Sequence, residues 1–314
     1  MDSRHRLSPA HAALGLLGLG TAFVAGCVAE SRAYVLRRHE LPVLAPGART
    51  LRVLHLSDLH LTPWQRREPA WIRRLAALEP DLVVNTGDNL AHVDAVPTVL
   101  EALEPLLELP GVFVLGSNDY FGPTPKNPAR YLLRPSSRCR TGPPLPTNQL
   151  VDGLRAGGWK DLTNRRDQLS IDGQALSFVG VDDPHLRYDR FPAPAAVPAQ
   201  PAPDLSIGVV HAPYTRVLDD LTADGARLLI AGHTHGGQLR VPWYGALTTN
   251  CDLDRRRARG VSRWWIGAAD VPATQAPPAD AAWLNVSAGL GTSPYTPIRF
   301  CCRPEASLLT LTAP

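Results

Sequence analysis

The chain has 314 residues, a formal net charge of +3 and 44% hydrophobic residues, so it is long enough for one large domain or two ordinary ones. This apolar content excludes a wholly disordered chain, and 31 prolines with 25 glycines indicate many loops without low complexity. The small net charge and the absence of a dense basic arm argue against nucleic acid as a partner. The five cysteines include no CxxC spacing, which argues against a disulfide scaffold and against a zinc finger.

Residues 1–39 are predicted to form a membrane or export segment. Residues 12–29 are an uncharged run of 18 with arginines on both sides, which is near the lower limit of about 17–25 residues for a membrane span. Four interpretations stay open: an uncleaved anchor, a lipoprotein acylated at Cys27 after a lipobox-like sequence, a cleaved signal peptide, and a buried helix. We expect a protein associated with the cell membrane whose folded domain is extracytoplasmic, although the flanking arginines do not determine the orientation. Residues 40–50 are predicted to be a linker.

Residues 51–314 predict one α/β domain, because short apolar segments with strand composition alternate with segments of helical spacing. The dipeptide Asp172-Gly173 between two such segments predicts a hairpin with a type I′ turn. The proline-rich segment 121–146 resembles a lid, and 192–203 is predicted to lie on the surface. This alternation predicts a mixed sheet with functional loops at the carboxyl ends of its strands. Strands are predicted at 51–56, 81–85, 112–115, 175–181, 205–210, 227–231, 283–287 and 307–312, and helices from near Pro69 and over 94–109, 148–156 and 215–221.

Seven polar side chains follow the predicted strands and form a candidate metal site. Carboxylate, amide oxygen and neutral imidazole together suit divalent ions such as Mn²⁺, Fe²⁺ or Zn²⁺. In an extended chain, Asp-x-His and His-x-His each point two ligands the same way. A carboxylate such as Asp88 can bridge two ions roughly 3.5–4 Å apart, the spacing at which a metal pair clamps a phosphate. The seven predicted ligands are Asp58, His60, Asp88, Asn118, His211, His233 and His235.

These motifs resemble, in this order, the signature blocks of the calcineurin-like metallophosphoesterases. The glycine-rich sequences 236–238 and 287–292 resemble the membrane-associated bacterial branch of that family. The resemblance covers about residues 48–312 and implies a four-layer sandwich of two mixed β-sheets flanked by helices. It also implies two divalent metal ions, Mn²⁺, Fe²⁺/Fe³⁺ or Zn²⁺, as cofactors. By resemblance, one ion would be held by Asp58, His60 and His235, the other by Asn118, His211 and His233, and Asp88 would bridge them.

One block departs from the family's pattern, which is Gly-Asn-His followed by an acidic residue. Residues 116–119 are Gly-Ser-Asn-Asp, so a gapless match puts Ser117 at the ligand position and Asn118 at the histidine position. A shift of one residue keeps Asn118 as a ligand and puts Asp119 in place of the catalytic histidine. We favour the shift, because asparagine coordinates through its amide oxygen and serine is a poor ligand. Since the usual histidine is missing either way, the candidate proton donors are Asp119 with a raised pKa, a neighbouring histidine such as His185, and water.

The sequence therefore predicts a phosphoesterase that hydrolyses phosphodiester, phosphomonoester or pyrophosphate bonds with water activated by two metal ions. The N-terminal segment favours a membrane-proximal phosphate ester, such as a lipid-linked one, as substrate. A protein phosphatase or a cyclic-nucleotide hydrolase acting on soluble substrates is the enzymatic alternative. The missing histidine leaves open a catalytically impaired, metal-binding pseudoenzyme that acts as a binding module.

Overall fold

The computed structural model describes residues 9–125, 142–193, 202–272 and 274–314. The central part of the predicted lid, with Cys139, and most of the segment predicted for the surface lie outside the described residues. Helix α1 (Pro9–Glu30) covers the uncharged run. No helix in the described ranges is both long enough and apolar enough to cross a membrane.

Every predicted strand occurs, with its ends displaced by two residues at most. Asp172 and Gly173 have φ angles of 48° and 83°, as a type I′ turn requires. The further helices are α2 (Arg67–Arg73), α3 (Val96–Leu107), α4 (Ser117–Tyr120), α5 (Thr147–Ala156) and α6 (Thr215–Ala223). The strands are β1 (Val35–Pro42), β2 (Leu51–Leu56), β3 (Leu82–Asn85), β4 (Gly111–Phe113), β5 (Lys160–Asp161), β6 (Arg165–Ile171), β7 (Gln174–Gly180), β8 (Leu205–Val210), β9 (Leu228–Ala231), β10 (Arg240–Val241), β11 (Gly245–Ala246), β12 (Gly260–Trp264), β13 (Ala282–Val286) and β14 (Glu305–Thr312).

The strands form two mixed six-stranded sheets and one small hairpin. The first sheet has the order β1-β14-β2-β3-β4-β5, and the second has the order β12-β13-β9-β8-β7-β6. Strands β2 to β5 are parallel, and so are β7, β8, β9 and β13. Because parallel strands end at the same edge of a sheet, the loops after β2, β3 and β4 meet the loops after β8 and β9.

Three apolar clusters divide the domain into four layers. Side chains from both sheets, among them Val53 and Ile207, fill the space between the sheets. The outer face of the first sheet packs on α2, α3 and α5, where Leu103 is fully buried. The outer face of the second sheet packs on α6, where Leu221 is fully buried. The domain is therefore an α/β sandwich of two mixed sheets flanked by helices.

The domain begins earlier than the sequence predicts. Residues 40–42, assigned above to the linker, complete β1, which pairs in parallel with β14 from Val35 opposite Glu305 to Pro42 opposite Thr312. Strand β1 contains the charged run Arg37-Arg38-His39-Glu40, which lacks the apolar alternation of a typical strand. An edge strand tolerates this composition because its charged side chains reach solvent and discourage pairing with another chain.

Candidate metal centre

Five of the seven predicted ligands have a left-handed backbone conformation. The φ angles are 53° for Asp58, 44° for His60, 57° for Asp88, 68° for His233 and 49° for His235. Residues other than glycine adopt such angles uncommonly, at a cost of about 1–3 kcal/mol each. They persist where the surrounding structure imposes them, and such positions cluster at functional sites. The residues with left-handed backbone angles therefore lie in the same loops as the predicted ligand motifs.

The first group of potential ligands consists of Asp58, His60 and His235, whose ligand atoms all lie within 4.8 Å of one another. The Nε2 atoms of His60 and His235 are 3.1 Å apart, and His235 Nε2 is 3.5 Å from Asp58 Oδ1. Gly289 makes this packing possible, because a Cβ there would lie 2.5 Å from Cβ of Asp58. The structure therefore brings together the three residues that the resemblance assigns to one ion.

The second group consists of Asp58, Asp88 and His211, again within 4.8 Å of one another. Asp88 Oδ2 is 3.6 Å from His60 Nε2 and 3.5 Å from His211 Nε2, so this carboxylate lies between the two groups. Gly116 permits the approach, because a side chain there would collide with the Asp88 carboxylate and the His211 ring. Asp58 belongs to both groups, whereas the sequence analysis assigned it to one.

Asn118 and His233 border this cluster. The Asn118 backbone N–H donates to Asp88 Oδ1 at 2.7 Å, and Asn118 Nδ2 donates to Asp88 Oδ2 at 2.8 Å. The His233 ring lies 5.2 Å from the His211 ring, and its Nε2 is 3.2 Å from the Asn250 carbonyl oxygen. Within the described part of the chain, His233 joins neither three-residue group.

The protonation states of three of the four histidines suit metal coordination. Burial lowers the pKa of His60, His233 and His235, which keeps these imidazoles neutral and able to act as ligands. Burial opposes charge on Asp88 and His211 as well, but their mutual attraction holds the pKa of Asp88 well below its usual value and that of His211 well above.

His211 provides a test of whether the residues fit a cation. Its Nδ1 lies 2.6 Å from the Thr86 carbonyl oxygen, to which it donates, and its buried Nε2 has no hydrogen-bond partner among the described residues. This Nε2 is 3.5 Å from Asp88 Oδ2. The raised pKa of His211 places a proton between them, and a divalent cation can replace that proton as the positive charge. The donor set therefore fits divalent cations.

Asp119 has a different environment from the one expected of a proton donor. Its buried Oδ2 accepts backbone N–H groups from Asp88 at 2.9 Å and Gly116 at 3.0 Å, and its Oδ1 accepts that of Asn89 at 2.7 Å. Burial and the nearby Asp88 carboxylate raise the pKa of Asp119 to about 6. Both oxygens hold the loops that carry Asp88 and Asn118, so the geometry favours a structural role over the predicted catalytic one.

His185 lies on the wall of the cavity at the centre. Its ring is 4.7 Å from the His233 ring, and its Nδ1 is 3.0 Å from the Tyr214 hydroxyl oxygen. The buried Asp183 carboxylate accepts the His185 backbone N–H at 3.0 Å, and burial raises the pKa of Asp183 to about 7. Of the two predicted proton donors, His185 is thus the one beside the open space.

Two residues of the site have no signal in the sequence. Ser57 Oγ donates to Asp58 Oδ2 at 2.5 Å and thereby orients that carboxylate. The fully buried Arg299 donates to the carbonyl oxygens of Gly289 and Gly291 at 3.1 and 2.8 Å, and its Nη2 lies 3.4 Å from His235 Nδ1. Arg299 follows His235 by 64 residues, so only the fold brings them together.

A cavity of about 460 Å³ opens from the metal centre. Its lining includes metal-centre side chains, among them Asp88 and His235. It also includes five apolar side chains, which are Phe121, Pro123, Leu239, Leu247 and Ile298. A substrate in this cavity would meet both metal ligands and apolar side chains.

The fold and this cluster place the protein among metal-dependent hydrolases. The family model for calcineurin-like phosphoesterases matches residues 51–237, more than half of the chain. The chain belongs to this family and is a metallophosphoesterase, a hydrolase of phosphate ester bonds.

Three relatives align with most of the chain. The phosphodiesterase YaeI of Escherichia coli is 26% identical over 320 residues, which cover 99% of this chain and 100% of YaeI. The uncharacterized protein YpbG of Bacillus subtilis is 25% identical and covers 93% of each chain. The UDP-2,3-diacylglucosamine pyrophosphatase LpxG of Chlamydia trachomatis is 27% identical and covers 82% of this chain and 83% of LpxG.

Proposed function

We propose that the protein hydrolyses phosphodiester or pyrophosphate bonds in a membrane-proximal substrate that carries an apolar group. The observation that carries this proposal is the cavity whose lining combines metal-centre residues with apolar side chains. The names of two relatives support it, one being a phosphodiesterase and the other a pyrophosphatase for a diacylated substrate.

Bound at this centre, two divalent ions such as Mn²⁺ would polarise the phosphoryl oxygens and lower the pKa of water. The protein's part is to present neutral imidazoles and oriented carboxylates, and Ser57 holds Asp58 in place for this purpose. One ion would be held by Asp58, His60 and His235, the other by Asn118, His211 and His233, with Asp88 between them.

Hydrolysis of bis-p-nitrophenyl phosphate by the full chain tests this function. We expect turnover that depends on added Mn²⁺ and disappears after treatment with a chelator. Absence of turnover from a folded, metal-loaded protein would contradict the proposal and favour the binding-module alternative.

We propose that His185 donates a proton to the leaving oxygen, with Tyr214 as its positioning residue. His185→Gln should lower kcat/KM about 10²-fold for diphenyl phosphate, whose leaving group needs the proton, and less than about 10-fold for bis-p-nitrophenyl phosphate. Tyr214→Phe, which keeps the imidazole, should show a weaker form of the same pattern. Equal losses with both substrates would contradict a role in proton donation.

We also propose that the protein associates with the cell membrane through an apolar face, with the catalytic domain extracytoplasmic. This face comprises Leu16, Leu17, Leu19 and Phe23 of α1 and Trp243 in the hairpin of β10 and β11, all strongly exposed. Its two parts meet at Phe300, whose ring lies 5.1 Å from that of Phe23 and whose backbone pairs with Leu239 beside the hairpin. Leu239 also lines the cavity at the metal centre, which places this cavity next to the apolar face.

Sedimentation with vesicles of phosphatidylethanolamine and phosphatidylglycerol tests the apolar face. Each large apolar side chain contributes about 1.5–3 kcal/mol when it is buried, so Leu17→Gln/Phe23→Gln/Trp243→Gln should bind at least about 10-fold more weakly than the natural chain. Ile266→Gln changes an exposed apolar residue outside this face and is the matched control. Unchanged vesicle binding by the triple variant would contradict the assignment.

A further inference from the structure

A second cavity, of about 380 Å³, is also bordered by His60. His60 lines both cavities, so the second one begins directly beside the metal centre. The proposed reaction assigns no role to it. Its lining includes Tyr34, Gln65, Glu68 and Gly291, and three arginines, which are Arg32, Arg66 and Arg67.

The charge of this cavity is positive. Arg66 and Arg67 lie at the start of α2, and Arg32 follows α1. All three are exposed, and no carboxylate in the described ranges lies within ion-pair distance of them. Arginine on a cavity rim is well suited to phosphate, because its planar guanidinium donates to two oxygens at once.

Glu68 is the only acidic side chain among the described residues of this lining, and it does not cancel the positive charge. It is buried, and burial raises its pKa to about 8, which leaves it largely uncharged at neutral pH. Gln65 Nε2 and the Tyr34 hydroxyl donate to Glu68 Oε2 at 3.2 and 3.4 Å. Glu68 Oε1 is buried with no hydrogen-bond partner among the described residues. Such an atom in the wall of a polar cavity indicates a ligand group that completes its hydrogen bonding.

We propose that the arginine-rimmed cavity binds a second phosphate group of the substrate, next to the phosphorus that reacts at the metal centre. This inference rests on the proposed function and narrows it to diphosphates that also carry an apolar substituent. In the reaction, the oxygen of water bonds to one phosphorus and the bond from that phosphorus to the bridging oxygen breaks. The second phosphate leaves with the bridging oxygen, and the products are two phosphate monoesters and the released proton.

Calorimetric titration of inorganic pyrophosphate into the full chain, after chelation and dialysis, tests the site without requiring turnover. Arg66→Gln/Arg67→Gln should weaken pyrophosphate binding at least 10-fold. Arg38→Gln/Arg74→Gln removes two exposed positive charges that do not line the cavity, and it should retain the affinity of the natural chain. No binding by the natural chain, or equal binding by the Arg66/Arg67 variant, would overturn the proposal.

Kinetics separate this inference from the proposed function. The Arg66/Arg67 variant should hydrolyse bis-p-nitrophenyl phosphate within two-fold of the natural rate, whereas its kcat/KM for UDP-glucose, measured as UMP released, should fall at least 10-fold, mainly through KM. If the natural chain hydrolyses neither substrate but its pyrophosphate binding depends on Arg66 and Arg67, the proposed function is wrong and the proposed phosphate site is supported. If the natural chain hydrolyses only the diester and its pyrophosphate binding does not depend on Arg66 and Arg67, the proposed function is supported and the proposed phosphate site is wrong.

The three arginines could also be matched by the phosphate of a lipid headgroup instead of a substrate diphosphate. Binding to anionic vesicles distinguishes these two ligands. The substrate assignment predicts that the Arg66/Arg67 variant binds phosphatidylglycerol vesicles as the natural chain does. Loss of vesicle binding with unchanged affinity for pyrophosphate would assign the arginines to headgroups and overturn the proposal.

Discussion

Replacement of Asp88 by asparagine is expected to lower kcat for metal-dependent hydrolysis by about 10³-fold. The Asp88 carboxylate lies 3.6 Å from His60 and 3.5 Å from His211, and it is the group placed to bridge two ions. Asparagine has nearly the same volume but no charge and one oxygen, so it cannot serve both ions. Hydrolysis of bis-p-nitrophenyl phosphate with added Mn²⁺ measures the loss, and metal analysis should show fewer ions per chain.

Asp88→Asn should retain the fold, because an asparagine oxygen can still accept a hydrogen bond from Asn118. Circular dichroism and a cooperative thermal transition check this. The control Asp152→Asn changes an exposed aspartate of α5 and should leave activity unchanged. A folded Asp88→Asn protein with full activity would refute the assignment of the metal centre.

Replacement of Asp119 by alanine is expected to lower the free energy of unfolding by about 3–5 kcal/mol. The Asp119 carboxylate accepts the backbone N–H groups of Asp88, Asn89 and Gly116, and alanine would leave these buried donors without partners. Chemical denaturation measures the change. Activity should fall too, because the same hydrogen bonds hold the loop that carries Asp88.

Asp119→Asn separates the structural role from the catalytic one. Its side chain keeps one acceptor oxygen but cannot act as a carboxylic acid. A structural role predicts a lower denaturation midpoint and similar losses of activity with diphenyl and bis-p-nitrophenyl phosphate. A selective loss with diphenyl phosphate at unchanged stability would restore Asp119 as the proton donor.

The strands and most of the metal cluster could be predicted from local sequence. Four of the six residues of Leu51–Leu56 are apolar, and the chain must turn where Asp58 and His60 follow this strand. The same holds for the strands before Asp88, His211 and His233. Strand β1 escaped prediction because an exposed edge accepts a charged sequence that the interior of a sheet excludes.

By itself, the sequence determined the identity and order of the ligand-bearing loops, because strand periodicity and the residues that end a strand are local properties. Only the tertiary structure decided which ligand groups each of these loops contributes to and which residues hold the loops in place. It placed Asp58 in both ligand groups, committed Asp119 to backbone hydrogen bonds, brought Arg299 to His235, and made His60 part of the lining of two cavities. These relations join residues that are distant in the chain, such as Asp58 and His235. Contacts over such separations depend on how two sheets and their helices pack, and no local pattern encodes that packing.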